Sequence, residues 1–308
     1  MRWRKLGLVW GPGGTQPWAR SHAMLPTPVA RDDCTIRVFV TTLDDAGRGR
    51  PFYVDVAGDD PTRVIGTATA PLLELGRPGC FDDAGVVPCS VVDEGGGRLR
   101  MYYVGFELCR TVRYRMFTGV ACSDDGGASF KRHSRAPVLD RSDAELMFRC
   151  GPHCTRSADG YRMLYIAGSD WTEVGGKQLP VYDLRLIESP DGVTWPTEGR
   201  RLLRVSDPDE HGFGRPWVLP PSAGVHRMVY SVRSRSRQAY RLGYAESTDG
   251  LIWTRRDSAI GLDVTPGSFD SEAIMYMATV TTHGGTYAFY NGNGFGRDGF
   301  AAAVLETE

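Results

Sequence analysis

Carboxylates recur at matched positions along this chain. Asp82 and Asp83, Glu145, Asp209 and Glu210, and Asp270 and Glu272 stand four to seven residues ahead of Pro88, Pro152, Pro216 and Tyr276 respectively. Gathered at one place, such acids repel one another and lose hydration, which raises at least one carboxyl pKa. A raised acid beside an ionised one is the pair that cleavage of a glycosidic bond uses. One group protonates the leaving oxygen, and the other attacks or activates water. Asp83, Glu210 and Glu272 are expected to do this chemistry, with Asp270 tuning a neighbour. The competing reading is local. In it, Asp82 and Asp83 cap a turn after Gly79-Cys80-Phe81, and Asp209 and Glu210 lie in a solvated loop.

Basic and aromatic groups accompany the acids. His22 precedes Pro26 by four residues, and Arg149, His153, Arg215 and Trp217 flank Pro152 and Pro216. A planar guanidinium reads carboxylate or phosphate through two parallel hydrogen bonds. Arg149 and Arg215 therefore point to an anionic substrate or to inorganic phosphate as nucleophile, unless they neutralise the acids. His22 and His153 are too few for a metal centre, and Cys150-x-x-x-Cys154 has no second pair at ligand spacing. No cofactor or metal is expected, and both cysteines read as buried thiols. The run Tyr290-Asn291-Gly292-Asn293-Gly294-Phe295-Gly296 demands unusual backbone angles. It reads as a plain turn or as a rim where Tyr290, Asn291 and Asn293 meet sugar hydroxyls.

Such residues converge only if the chain returns repeatedly to one axis. The residues just named precede or follow five similar strands closing at positions 26, 88, 152, 216 and 276, in steps of 62, 64, 64 and 60. A second strand follows each, beginning at Arg37, Arg100, Arg162, Arg227 and Thr286, in steps of 63, 62, 65 and 59. Three Asp-Gly turns with a trailing aromatic form a third marker: Ser123 to Phe130, Ser189 to Trp195, and Ser247 to Trp253. Asp-Gly supplies the positive φ of a tight hairpin, and the aromatic is expected to cover the next blade. Several strands per repeat of this length predict an all-β fold, a five-bladed β-propeller. The blades are expected at 18–75, 79–140, 145–205, 209–263 and 268–305, in one domain, with the N-terminal strand closing the ring. The first strand of each blade would line the central channel and place its leading residues at one mouth.

Composition narrows the partners. The 308 residues carry 36 Lys+Arg against 37 Asp+Glu, a net charge of −1. Nucleic acid and anionic membrane are not bulk partners of such a surface. Met1 to Trp10 is basic and then briefly apolar, but Gly11-Pro12-Gly13-Gly14 ends the run too early for a secretory signal, and no run approaches a membrane span. A cytoplasmic protein is expected. The seven cysteines, an odd number in a long chain, argue against a secreted disulfide framework.

Taken together, several runs carry a resemblance. They are Gly79 to Pro88 followed by Met101-Tyr-Tyr-Val-Gly105, the Ser-x-Asp-Gly turns, Phe269-Asp-Ser-Glu272, and Tyr290 to Gly294. The chain resembles the five-bladed propeller glycosidase superfamily of arabinanase/xylosidase-like, invertase/levansucrase-like and mannoside-phosphorylase-like families. More narrowly, it looks like uncharacterised bacterial glycosylase-like propellers. The resemblance implies a carbohydrate-active enzyme that cleaves or transfers a glycosidic bond, as hydrolase, phosphorylase or transglycosylase. Its substrate would be a sugar or glycoconjugate. It also implies a catalytic Asp on the first inner strand, which here reads Ser21-His22-Ala23-Met24, and a general-acid Glu on the third, which reads Phe148-Arg149-Cys150 with only Glu145 near. Asp83 fits the second-blade Asp. With the triad incomplete, a non-catalytic carbohydrate-binding propeller and a tailoring enzyme of glycoconjugate or natural-product biosynthesis stand as alternatives. Ser123 to Phe130 also resembles the Asp-box of sialidases, but five repeats do not fit their six blades.

Overall fold

The computed structural model describes residues 1–32 and 34–307. The first strand, β1 (Arg2–Trp10), is followed by a four-stranded antiparallel unit of β2 (Ser21–Asp32), β3 (Thr35–Leu43), β4 (Gly49–Ala57) and β5 (Val64–Thr67). The next unit holds β6 (Gly85–Gly95), β7 (Arg98–Leu108), β8 (Tyr114–Ser123) and β9 (Lys131–Arg132). The third holds β10 (Phe148–Ser157), β11 (Gly160–Val174), β12 (Lys177–Ser189) and β13 (Arg200–Leu203). The fourth holds β14 (Glu210–Ser222), β15 (Val225–Ser234), β16 (Tyr240–Ser247) and β17 (Thr254–Arg255). The last combines β18 (Met275–Thr282), β19 (Gly285–Asn291) and β20 (Phe300–Thr307) with β1, whose residues Arg2 to Trp10 pair with Thr307 to Phe300. The strands thus group into five units, each a blade of an all-β propeller. Among the described residues no helix is long and apolar enough to cross a membrane.

The second strands show why the blades need one another. In β7 the run Met101 to Gly105 is buried without a break, not on alternate residues, so both sheet faces are covered. The core accordingly lies between blades. One cluster joins Phe39 and Val54 of the first blade to Met101 of the second and Phe289 of the fifth. Another joins Val104, Leu164 and Met228 of the second, third and fourth. The ring is closed by side chains as well as by β1. Asn291 of the fifth blade accepts from Leu25 N and donates to Ala23 O of the first, both at 2.8 Å.

The Asp-Gly turns sit between the third and fourth strands. Asp249 accepts from the backbone N–H groups of Leu251 and Ile252 at 2.8 Å, which hold its carboxyl down to about 2. The trailing aromatics cover the preceding blade, not the next one. Phe130 of the second blade meets Phe39 of the first at 5.8 Å, and Trp195 of the third meets Tyr102 of the second at 6.2 Å. The chain runs outward along each sheet, so its outer turn folds back over the blade already made. All seven cysteines are free thiols, with Cys150 and Cys154 buried.

Candidate functional site

Among the acids that share the sequence register ahead of an inner strand, one in each of the last four blades is buried and engaged within its own blade. Asp82 is fully buried, accepting from Tyr103 Oη at 2.9 Å and Arg132 Nε at 2.7 Å. Glu145, also fully buried, accepts from Tyr165 Oη at 2.9 Å, Arg185 Nη1 at 2.9 Å, Arg149 Nε at 2.5 Å and Gly199 N at 3.0 Å. Glu210 takes both ends of the Arg255 guanidinium at 2.7 and 2.8 Å. There Tyr230 donates to Asp257, which shares Arg255. Asp270 is fully buried against Lys5 Nζ, with Tyr290 beside it. The second strand thus supplies a tyrosine in four blades, and a later or closing strand supplies the cation. Burial first, and the neighbouring carboxylate second, push the phenols of Tyr103, Tyr165 and Tyr230 up. The first blade has Val40 three residues after Arg37, where the second, third and fourth have tyrosine, and buried Ala19 ahead of its inner strand. The acid and the tyrosine are lost together.

These contacts correct the sequence reading. A clamp repeated in four of the five blades accompanies the common register of the acids, and Asp82, Glu210 and Asp270 are engaged in it. Glu272 is exposed on the fifth-blade rim, where its N–H donates to Asn293 Oδ1 at 2.8 Å and its carbonyl accepts from Arg241 at 2.7 Å. Asp83 is half-buried and accepts from Gly79 N at 2.8 Å, closing a turn. Asp83, Glu210 and Glu272 thus stand in three different local arrangements, a turn, an arginine clamp and an exposed rim. Arg149 is engaged by Glu145 and Pro196 O of the third blade and by Asp140 O at the end of the second. Asn291 is a tie between blades, and Asn293 holds the chain at Glu272 and Ala273.

What does open at the mouth is a cavity of about 550 Å³ that all five blades line. His22 and Leu25 come from the first blade and Ala84 and Tyr114 from the second. Cys150 and Tyr182 come from the third, Arg215, Arg233 and Tyr240 from the fourth, and Tyr276 and Phe295 from the fifth. The lining includes Arg113, Lys177, Arg215 and Arg233, but none of the described lining residues is Asp or Glu. In a chain whose charges nearly cancel, this is a sharp separation of sign.

The backbone around the cavity is strained. His22, Leu25, Gln238, Tyr276 and Phe295 have φ between 51° and 64°, and all five line it. Bulges re-aim the inner strands. Pairing shifts between Cys150 and His153, between Gly214 and Trp217, and between Met275 and Ala278. The first bulged residues are Gly151, Arg215 and Tyr276, and each reaches the cavity. Counted from the bulge, Tyr276 is the fifth blade's counterpart of Arg215, one residue away from the place that sequence spacing assigns it.

Arg215 forms the floor. It is 1% exposed and donates to Thr27 Oγ1 at 2.8 Å and to the carbonyls of Pro26 at 3.0 Å and Tyr276 at 2.6 Å. No carboxylate pairs with it among the described residues, its Nε has no partner, and burial lowers its pKa to about 10. His153 and Trp217 pack behind it with ring centroids 4.2 Å apart. Burial, then the nearby Arg215 charge, lower the His153 pKa to about 3, so its ring is neutral. His22 lines the wall, and burial lowers its pKa as well. Arg233 lies over the Tyr240 ring at 5.0 Å and donates to Tyr182 Oη at 3.4 Å. Burial opposes its charge, but the phenols of Tyr240, Tyr182, Tyr276 and Tyr114 more than offset that. The described residues hold no group of three or more His, Cys, Asp or Glu placed to bind a metal.

Sequence spacing finds His22 and Arg215 but misses Tyr114, Tyr182, Arg233, Tyr240 and Tyr276. Tyr114, Arg233 and Tyr240 flank hairpins between second and third strands and Tyr182 lies on the third strand beyond one, and the turns run from two residues (175–176) to five (109–113 and 235–239). Unequal turns carry no period to read.

No protein-family profile matches the chain. The Mycobacterium tuberculosis H37Rv protein Rv1502, described as uncharacterised, is 35% identical over 307 residues, covering all of both chains. A structure described as a glycoside hydrolase aligns over 99% of this chain and 92% of its own, with a TM-score of 0.76 at 19% identity. A thermostable family-43 glycoside hydrolase aligns over 94% and 91%, with a TM-score of 0.65 at 13% identity. An endo-arabinase from Bacteroides thetaiotaomicron aligns over 96% and 98%, with a TM-score of 0.63 at 11% identity. This chain therefore shares the glycoside hydrolase propeller fold.

Proposed function

The chain belongs to the family of the mycobacterial protein Rv1502, and we propose that it binds a carbohydrate in the mouth cavity without cleaving it by paired carboxylates. One observation carries this reading: the cavity that all five blades line holds tyrosines and cations but no acid among its described residues. Hydrolysis by the two-carboxylate route needs both groups about 5–10 Å apart across the sugar. The acids expected there are engaged in blade clamps or lie on the rim. Aromatic walls with a few fixed polar groups suit a sugar ring, and about 550 Å³ accommodates one or two residues. Fold likeness supports a carbohydrate as ligand by analogy alone.

A second reading is favoured by Asp83, which has no cationic partner among the described residues and adjoins Ala84 of the cavity wall. As a lone general acid it would serve an enzyme whose nucleophile comes from outside, such as phosphate. Calorimetry on a glycan panel beside a turnover assay with phosphate separates the two. Binding without product is expected. Product formed by the wild type and lost at least ~10²-fold in Asp83→Asn would replace the binder with the enzyme.

A further inference from the structure

The donor and acceptor content of the cavity is lopsided. A neutral sugar offers many hydroxyl hydrogens and needs acceptors around it. Arginine and lysine only donate, and a carboxylate or phosphate only accepts. Arg113, Lys177, Arg215 and Arg233 all line the cavity, and its side-chain acceptors are confined to Gln238, His22 and the phenols. The clamp cations Arg132, Arg185 and Arg255 each have a carboxylate within 2.9 Å. Arg215 and Arg233 have none among the described residues. The Arg215 charge is met by a hydroxyl and backbone carbonyls, and its buried Nε is unpartnered. Arg233 is half-buried among four tyrosines, of which Tyr182 and Tyr240 carry hydroxyls that can also donate. A positive potential in a concave, low-dielectric wall concentrates anions.

On the reading that the cavity takes a carbohydrate, we infer that this carbohydrate bears an oxyanion, a carboxylate or a phosphate, received by Arg233 on the fourth-blade wall of the cavity that Arg215 also lines. The planar guanidinium takes two oxygens at once, the neighbouring phenols supply further donors, and the sugar ring lies across the tyrosine faces. No bond is made or broken in this step.

The test is calorimetry on the full chain with glucuronic and galacturonic acid, their methyl esters, glucose 6-phosphate and inorganic phosphate. A charged sugar should bind at least ten-fold more tightly than its neutral counterpart. Arg233→Gln should lose at least ten-fold, Arg233→Lys should retain part of the affinity, and Arg63→Gln on the outer edge of the first blade should change nothing. Equal affinity for acid and ester, or wild-type affinity in a folded Arg233→Gln, overturns the anion subsite and leaves the carbohydrate reading standing. Phosphate binding that depends on Arg233, with no sugar bound in any form, keeps the subsite and overturns the carbohydrate reading. Inorganic phosphate that binds as tightly as glucose 6-phosphate makes free phosphate the source of the anion and overturns the assignment to a sugar substituent. Silence from every probe overturns both. Should Arg233→Gln fail to fold, acid against ester on the wild type decides.

Discussion

The blade clamps and the mouth cavity are built from the same residue types to opposite ends. In the clamps, tyrosine and arginine surround a buried carboxylate and every charge is answered, as at Glu145 with Tyr165, Arg149 and Arg185. In the cavity, tyrosine and arginine stand together with the carboxylate left out, as at Arg233 with Tyr182 and Tyr240. The clamp pairs its carboxylate with a cation inside one blade. The cavity is an open network whose missing member has the charge of a ligand. The difference teaches that what repeats in a propeller serves the repeat, and that binding chemistry belongs where the repeat breaks.

The largest effect that tests the contrast is on stability. Glu145→Ala leaves Arg149 buried without a counter-charge and Arg185 with only the exposed Glu198, and should cost about 3–5 kcal/mol in a denaturant titration. A loss under ~1 kcal/mol would mean that the clamps do not hold the blades.

The cavity floor should show itself through pH. His153 has its pKa lowered in the folded protein, to about 3 against an ordinary 6.5. Its contribution is complete above pH 6.5, because the unfolded chain then binds no extra proton. It is lost as pH falls from 6.5 toward 3, at up to about 1.4 kcal/mol per pH unit. His153→Phe should flatten denaturation midpoints over that window. A slope unchanged by the substitution would mean that the fold protonates His153 as readily as the unfolded chain does.

Two hydroxyl deletions sharpen the comparison further. Tyr103→Phe removes a donor to buried Asp82 and should cost about 1–2 kcal/mol of stability while leaving ligand affinity intact. Tyr240→Phe should do the reverse, weakening an anionic ligand several-fold with little change in melting. If both variants behave alike, the two regions are not functionally distinct.

The smallest effect belongs to the outer turns. Asp249 has a depressed pKa, so its contribution is present above the ordinary carboxyl value of 3.8 and fades as pH falls toward about 2. Asp249→Asn should slightly reduce the loss of melting temperature in that acid window. The turn is solvent-exposed, and a shift as large as that of His153 would contradict its peripheral place.

The amino-acid sequence by itself determined the recurrence. Evenly spaced inner strands, the second strands from Arg37 to Thr286 and the Asp-Gly turns are local signals, set by pleat periodicity and by glycine's freedom at positive φ. They were enough to read an all-β propeller and to align His22 and Arg215 with the mouth. Only the tertiary structure decided what the charged groups do. Whether Glu210 meets Arg255 or a ligand depends on strands some 45 residues apart, and a bulge of one residue redirects Tyr276. A one-dimensional ruler measures distance along the chain. Charge compensation is settled by distance through space, where the partner strand and the twist of the sheet choose which carboxylate is answered and which arginine is left open.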